Sequence, residues 1–161
     1  MKTLVIVRHA KSSWDYEVSD RDRPLKERGI QDAYLVSNEL KKLDLTVDAV
    51  FSSPANRALQ TCTIFLNQIG VNFNKLKVTP EMYDFGGESV LHLLRSLNNN
   101  LHTVMVFGHN YALTSIANLL GDKRIDNVTT SGVVVINFKE TDWNKIGKGI
   151  TKNSIFPKDL R

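Results

Sequence analysis

The 161-residue chain reads as a three-layer α/β/α sandwich with a mostly parallel central sheet. Three observations predict it. Short uninterrupted apolar runs at 4–7, 104–107 and 133–136 have the length and composition of strands buried on both faces. The segments between strand signals carry apolar residues at helical spacing. Strand and helix signals alternate along the chain, with no repeat, low-complexity tract or linker, as in a sheet covered by helices on both sides. A chain of this length is expected to fold as one domain, 1–161, around a substantial core.

Each element has its own signal. The first strand runs through residues 3–7 and delivers Arg8 and His9 to its C-terminal end, where open α/β sheets place their ligand crevice. Residues 15–28 hold five acids, four bases and Pro24, and read as a surface loop over that crevice. Residues 29–43 form an amphipathic helix through Ile30, Ala33, Tyr34, Val36 and Leu40. The second strand covers 47–52. Ser53 then reads as an N-cap with Pro54 at the first helical position, and the helix runs to about Ile69, where Gly70 stops it. A short third strand is expected at 76–79, a loop at 80–87, and a helix at 88–97 halted by three asparagines. The fourth strand spans 103–108, a helix follows at 111–120, and the fifth strand is 132–138. A sixth strand at 151–156 has only a weak pattern.

Composition narrows the function classes. With 42% hydrophobic and 24% charged residues, the chain is an ordinary globular protein. Its net charge of +4 calls for no nucleic-acid partner, and six cations against three acids after Phe138 carry much of the excess as a solvated basic surface. The only N-terminal apolar run is too short for a signal-peptide core or a membrane span, so the expected location is cytoplasmic. One cysteine excludes an internal disulfide framework. Cys62 falls on the apolar face of its helix, and position 68 is glutamine where a cysteine phosphatase needs arginine. His92 and His102 have no second ligand at metal spacing and read as surface residues. Neither Gly86-Gly87 nor Gly147-Lys148-Gly149 has the spacing of a nucleotide-binding loop. No metal or cofactor is expected.

The strand ends carry the chemistry. If the sheet is parallel, Arg8, His9, Arg57 and His109 meet at one edge. Transfer of a phosphoryl group needs an in-line nucleophile and donors around the equatorial oxygens. Histidine can be that nucleophile when one ring nitrogen is unprotonated and the other is held by an acceptor. Nearby arginines disfavour the imidazolium and fork onto phosphate oxygens. The helix after His109 is expected to aim free backbone N–H groups at the same anion. Arg57, in the first turn of a helix, is poorly placed for the helix dipole unless it serves an anion.

The runs Arg8-His9-Ala10-Lys11-Ser12, Ser52-Ser53-Pro54-x-x-Arg57-Ala58-x-x-Thr61 and Gly108-His109-Asn110 resemble the three signatures of the histidine phosphatase superfamily. The opening Arg-His-Ala-Lys-Ser-Ser-Trp, the Asp-Arg-Pro-Leu-x-x-Arg-Gly run at 22–29 and the short length are similar to the small SixA-like phosphohistidine phosphatases. The resemblance covers nearly the whole chain. It implies the phosphoglycerate mutase-like form of the α/β/α sandwich. It also implies a metal-independent phosphatase in which His9 is transiently phosphorylated, Arg8 and Arg57 clamp the phosphoryl oxygens and His109 donates to the transition state. Lys11 and Ser12 are candidate further donors. Glu81 and Asp84 lie near where relatives place a catalytic carboxylate, and the spacing leaves both open as proton donor.

The chain departs from its larger relatives. It has Ala10 and Lys11 where mutases carry glycine and glutamate, Asn110 where acid phosphatases carry aspartate, and no insertion long enough for a cap domain. An open crevice favours a protein-sized substrate, phosphohistidine in a protein above all. The alternatives are a phosphomonoesterase for small phosphorylated metabolites and a non-catalytic phosphate-binding module.

Overall fold

The computed structural model describes residues 1–161. Its centre is a six-stranded mixed sheet formed by β1 (Lys2–Arg8), β2 (Ala49–Ser52), β3 (Leu76–Val78), β4 (Thr103–Gly108), β5 (Val133–Phe138) and β6 (Ile150–Ile155), in the order β3-β2-β4-β1-β5-β6. The first four in that order are mutually parallel, β5 runs antiparallel to β1, and β6 antiparallel to β5. Four helices complete the fold: α1 (Glu27–Lys41), α2 (Asn56–Ile69), α3 (Glu88–Arg95) and α4 (Ala112–Leu120).

Alternation along the strands divides the core in two. On β1, Leu4 and Ile6 pack with Val104 and Val106 of β4 beneath α3 and α4, against Leu93, Leu94, Leu113 and Ile116. Val5 and Val7 face the other way with Met105 and Phe107, under α1 and α2, against Val36, Leu40, Phe65 and Leu66. Period-two strands therefore show continuous apolar runs because both faces are covered. The strand β6 is the exception. It lies at an edge with Lys152 and Ser154 exposed, which explains its weak sequence signal.

Two helix starts differ from expectation. Helix α1 begins at Glu27, two residues earlier than its apolar pattern suggests, and ends at Lys41. Helix α2 begins at Asn56 with Ala55 as its N-cap, so Ser53 is not the cap. The Ser53 hydroxyl instead accepts from the Ala55 N–H (3.1 Å) and meets the His109 ring (2.8 Å). The C-terminus follows the sequence reading: Gly70, at φ 77°, closes α2, and its N–H and that of Val71 both donate to the Leu66 carbonyl.

The charged stretch after β1 is a loop pinned at its neck. Ser12 and Leu25 form an antiparallel bridge, and the Ser13 N–H donates to the Pro24 carbonyl (2.8 Å). Gly29 of α1 lies directly against the Lys11 backbone, and a β-carbon there would overlap the Lys11 carbonyl. The glycine thus sets how closely α1 approaches the chain just past His9. Gly29→Ala is expected to lower the unfolding free energy by about 2 kcal/mol. At an open helical position the same change would raise it by about 1 kcal/mol. Urea unfolding of the two proteins at neutral pH measures the sign.

Candidate active site

The C-terminal ends of β1, β2 and β4 open into a crevice of about 370 Å³. Arg8, His9, Arg57 and His109 all line it, as do Lys11 and Ser12. Five cations and a single carboxylate face this space: Arg8, Lys11, Arg23, Lys26 and Arg57 against Asp20.

The His9 backbone is held from both sides, its N–H donating to the Gly108 carbonyl (3.0 Å) and its own carbonyl accepting from Ser131 N–H (3.2 Å). Its ring Nδ1 lies 2.7 Å from the Ala10 carbonyl. A carbonyl can only accept, so Nδ1 carries the proton and Nε2 keeps its lone pair. Ala10 is held in turn on its N-terminal side, where its N–H donates to Thr61 Oγ1 (2.8 Å), and that hydroxyl donates to the Arg57 carbonyl (2.7 Å). The tautomer of His9 is therefore tied through two hydrogen bonds to the first turn of α2.

His109 stands beside it, ring centroids 5.2 Å apart. Tyr83 and Phe85 enclose the far side of His109, at 5.3 and 4.9 Å. Ser53 accepts from Ala55 N–H, and its one hydroxyl proton finds an acceptor if it is given to His109 Nε2, the arrangement that leaves the ring proton on Nδ1. That Nδ1 is buried without a partner.

The arginines repeat this pattern. Arg8 donates from Nη1 to the Val128 carbonyl (3.0 Å), and Arg57 from Nη1 and Nη2 to the carbonyl (2.6 Å) and carboxylate (3.0 Å) of Asp20. Both Nε groups are buried and unpartnered. A buried donor left unpaired costs about 1–3 kcal/mol. Three at one crevice, two of them cationic, amount to a large part of a domain's whole stability, which is about 5–15 kcal/mol. All three belong to residues that line the one crevice.

Burial is the main force on the histidines. It pushes His9 down to about 3; the Ala10 carbonyl opposes the shift, while His109, Arg57 and Arg8 add to it. Burial, followed by the charge of Arg57, likewise holds His109 at about 3. Both rings are neutral at physiological pH. Asp20 is the opposite case. Desolvation raises its carboxyl, but hydrogen bonds from Tyr83 and Arg57 and the charge of Arg57 outweigh it and hold it at about 2.

Several expected features lie elsewhere. The Asp84 carboxylate accepts from the backbone N–H groups of Gly86 (3.1 Å), Gly87 (3.0 Å) and Val90 (3.1 Å), so it caps α3 and faces away from the crevice. Glu81 sits in the short 3-10 turn Pro80–Met82 and does not line the crevice. The start of α4 offers fewer free N–H groups than expected: Leu113 N–H donates to the His109 carbonyl (3.0 Å) and Thr114 N–H to Asn110 Oδ1 (3.1 Å). Ser12 accepts from Arg23 Nη1 (2.6 Å), and that guanidinium lies 3.5 Å over the exposed Trp14 ring. Lys11 is exposed at the mouth, and His92 and His102 are on the surface. Asp20 was not singled out by sequence, although the Asp-Arg-Pro-Leu run just after it, which contains Arg23, was.

Neutral burial of the two histidines has a sign. An unfolded histidine takes up its proton near pH 6.5, whereas these do so only near 3 in the fold. Between those values the unfolded chain binds more protons, so stability present above about pH 6.5 is lost as pH falls. The loss at about pH 5 is about 2 kcal/mol per histidine. His9→Asn removes one of the two. Its urea-unfolding free energy is expected to fall by about 2 kcal/mol less than that of the parent between about pH 7 and about pH 5.

Comparison with known proteins agrees with this geometry. A family model of the histidine phosphatase superfamily (branch 1) matches residues 4–86, about half of the chain. An uncharacterised protein of Mycobacterium tuberculosis is 31% identical over 140 residues, covering 81% of this chain and 85% of the relative. The protein histidine phosphatase SixA, solved with tungstate, superposes with a TM-score of 0.83 at 25% identity and covers 99% of both chains. A phosphoserine phosphatase from Entamoeba histolytica, solved with 3-phosphoglyceric acid, shares the fold at a TM-score of 0.67 and 19% identity, over 100% of both chains. Sequence match, relative and fold lead to one assignment: this chain is a phosphatase belonging to the histidine phosphatase superfamily, branch 1, built on the SixA plan.

Proposed function

We propose that this enzyme dephosphorylates phosphohistidine in proteins through a phospho-His9 intermediate. In the first step His9 Nε2 attacks phosphorus as the bond to the substrate's imidazole nitrogen breaks. Arg8, Arg57 and the Nδ1–H of His109 donate to the equatorial oxygens, where charge accumulates. Water then attacks the phosphorus of phospho-His9, the P–N bond breaks, and phosphate leaves. Lys11 and Arg23 draw the anion to the mouth, with Ser12 holding Arg23 in place.

The observation that carries this reading is the state of the one carboxylate in the crevice. Asp20 is held ionised and has no proton to give at physiological pH. Neither Glu81 nor Asp84 lines the space. An alkyl phosphate expels an alkoxide and needs a proton in flight. Phosphohistidine protonated on its far nitrogen expels a neutral imidazole and needs none. The open mouth, with Trp14 and Phe85 exposed at its rim, suits a substrate carried on a protein.

His9→Ala is expected to abolish turnover, and Arg57→Ala or His109→Ala to lower kcat by roughly 10²- to 10³-fold. On the wild type, kcat/KM should rank phosphohistidine peptide above aryl phosphate and aryl phosphate above sugar phosphate, with EDTA without effect. Equal turnover of a sugar phosphate and the phosphohistidine peptide would defeat the substrate reading and favour a metabolite phosphomonoesterase.

A further inference from the structure

The catalytic scheme leaves the one carboxylate of the crevice, Asp20, without a task. Asp20 belongs to a 3-10 turn, Asp20–Asp22, in the loop after β1, and it is the meeting point of three segments distant in sequence. Its carbonyl and carboxylate take two donors of the Arg57 guanidinium, at 2.6 and 3.0 Å. The Tyr83 hydroxyl, from the loop before α3, donates to the same carboxylate at 2.7 Å. Arg23 Nε reaches the other oxygen at 3.3 Å. Next to Arg57, Asn56 also grips the turn, donating to the Asp22 carbonyl (3.2 Å).

We propose that Asp20 is a positioning residue for phosphoryl transfer, fixing the Arg57 guanidinium so that its unpartnered edge faces the anion. The need for such a residue follows from where Arg57 sits. It is the second residue of α2, at the positive end of the helix dipole, in a crevice it shares with Arg8. Both effects push its guanidinium away from the crevice, and a free arginine side chain has many rotamers to occupy. Asp20 supplies the opposing charge on the side away from the unpartnered Nε, and its carbonyl and carboxylate together define the plane of the fork. A displacement of about 1 Å in a group that must meet an in-line transition state can cost about 100-fold in rate.

The same carboxylate also opposes anion binding. Its negative charge lines the crevice that the phosphoryl group enters, so removing it relieves repulsion while releasing Arg57. Positioning therefore predicts a split that a merely structural role does not: catalysis suffers while affinity for a small oxyanion is kept or improves.

The test measures kcat on an aryl phosphate and the inhibition constant of tungstate for wild type, Asp20→Asn, Asp20→Glu, Tyr83→Phe and His9→Ala. Asp20→Asn is expected to lower kcat by about 10- to 100-fold, with tungstate binding equal or tighter. Asp20→Glu, which keeps the charge, should recover part of the loss. Tyr83→Phe, which leaves the carboxylate on Arg57, should lose less than Asp20→Asn. A kcat for Asp20→Asn that is unchanged, or that falls no more than tungstate affinity does, overturns the proposal. So does a larger loss in Tyr83→Phe. The inference rests on His9 as nucleophile, and the His9→Ala arm separates the two: activity retained there rejects the His9 scheme itself, whereas an inactive His9→Ala beside an unimpaired Asp20→Asn rejects only the role of Asp20.

Discussion

The register of β1 against β4 is the constraint on which this site depends. Arg8 pairs with Gly108, so the next residue on each strand is a histidine, and the two rings emerge side by side with centroids 5.2 Å apart. A slip by one residue would turn each strand's side chains to the opposite face. That slip is prevented far from the crevice. Leu4 and Ile6 are committed to one core, Val5 and Val7 to the other, and Val104 to Phe107 alternate in step. Packing below the site thus fixes chemistry above it. A β-carbon at Gly108 would lie 3.0 Å from the terminal methyl of Met82, which would have to give by a few tenths of an ångström.

Once the strands are in register, electrostatics decides what the site can do. Two arginine Nε groups and a histidine Nδ1 are buried without partners in residues that line the crevice, an arrangement that costs folding energy and that an anionic acceptor would relieve. The same burial keeps His9 neutral, so its Nε2 lone pair is available without a base to remove a proton. Asp20 compensates Arg57 from outside. It does so as a carboxylate whose pKa is held at about 2, so the one carboxylate of the crevice carries no proton at physiological pH.

Much of this was legible in the sequence because strand ends are legible. Buried strands appear as apolar runs, the residues just past them fall at one edge of a parallel sheet, and Arg8, His9, Arg57 and His109 all lie there. What escaped depends on orientation within loops, where no period operates. In the 80–87 loop, Tyr83 and Phe85 turn toward His109 while Asp84, between them, turns to the three N–H groups at the start of α3. Sequence distance could not tell which of the three faces the crevice. Asn110 was noticed only as a missing aspartate. In fact both ends of its amide are used, Oδ1 on Thr114 and Nδ2 on Asn127 (2.7 Å) and Val128 (3.3 Å). It thereby braces the segment whose carbonyl also receives Arg8. Trp143, inside a tail that reads as basic surface, is wholly buried, its indole N–H donating to the Leu101 carbonyl and Lys2 lying 5.7 Å over its ring. Local composition gave no sign of it.

The lack of an acid acquires its meaning when the two half-reactions of the proposed scheme are set beside each other. In the second, the leaving group is His9 itself. Its Nδ1–H stays on the Ala10 carbonyl, so it departs from phosphorus as a neutral imidazole with no proton supplied by the crevice. A crevice arranged for that step already meets every requirement of the first step when the substrate is also a phosphorylated imidazole. The leaving groups then match: a neutral imidazole departs from phosphorus in both, with the same three donors at the equator and no demand on a carboxyl proton. An oxygen ester breaks this symmetry, because one half-reaction would need an acid that the other does not. With Asp20 ionised and Asp84 turned to a helix end, the proposed scheme asks the crevice for no proton that these carboxylates would have to supply.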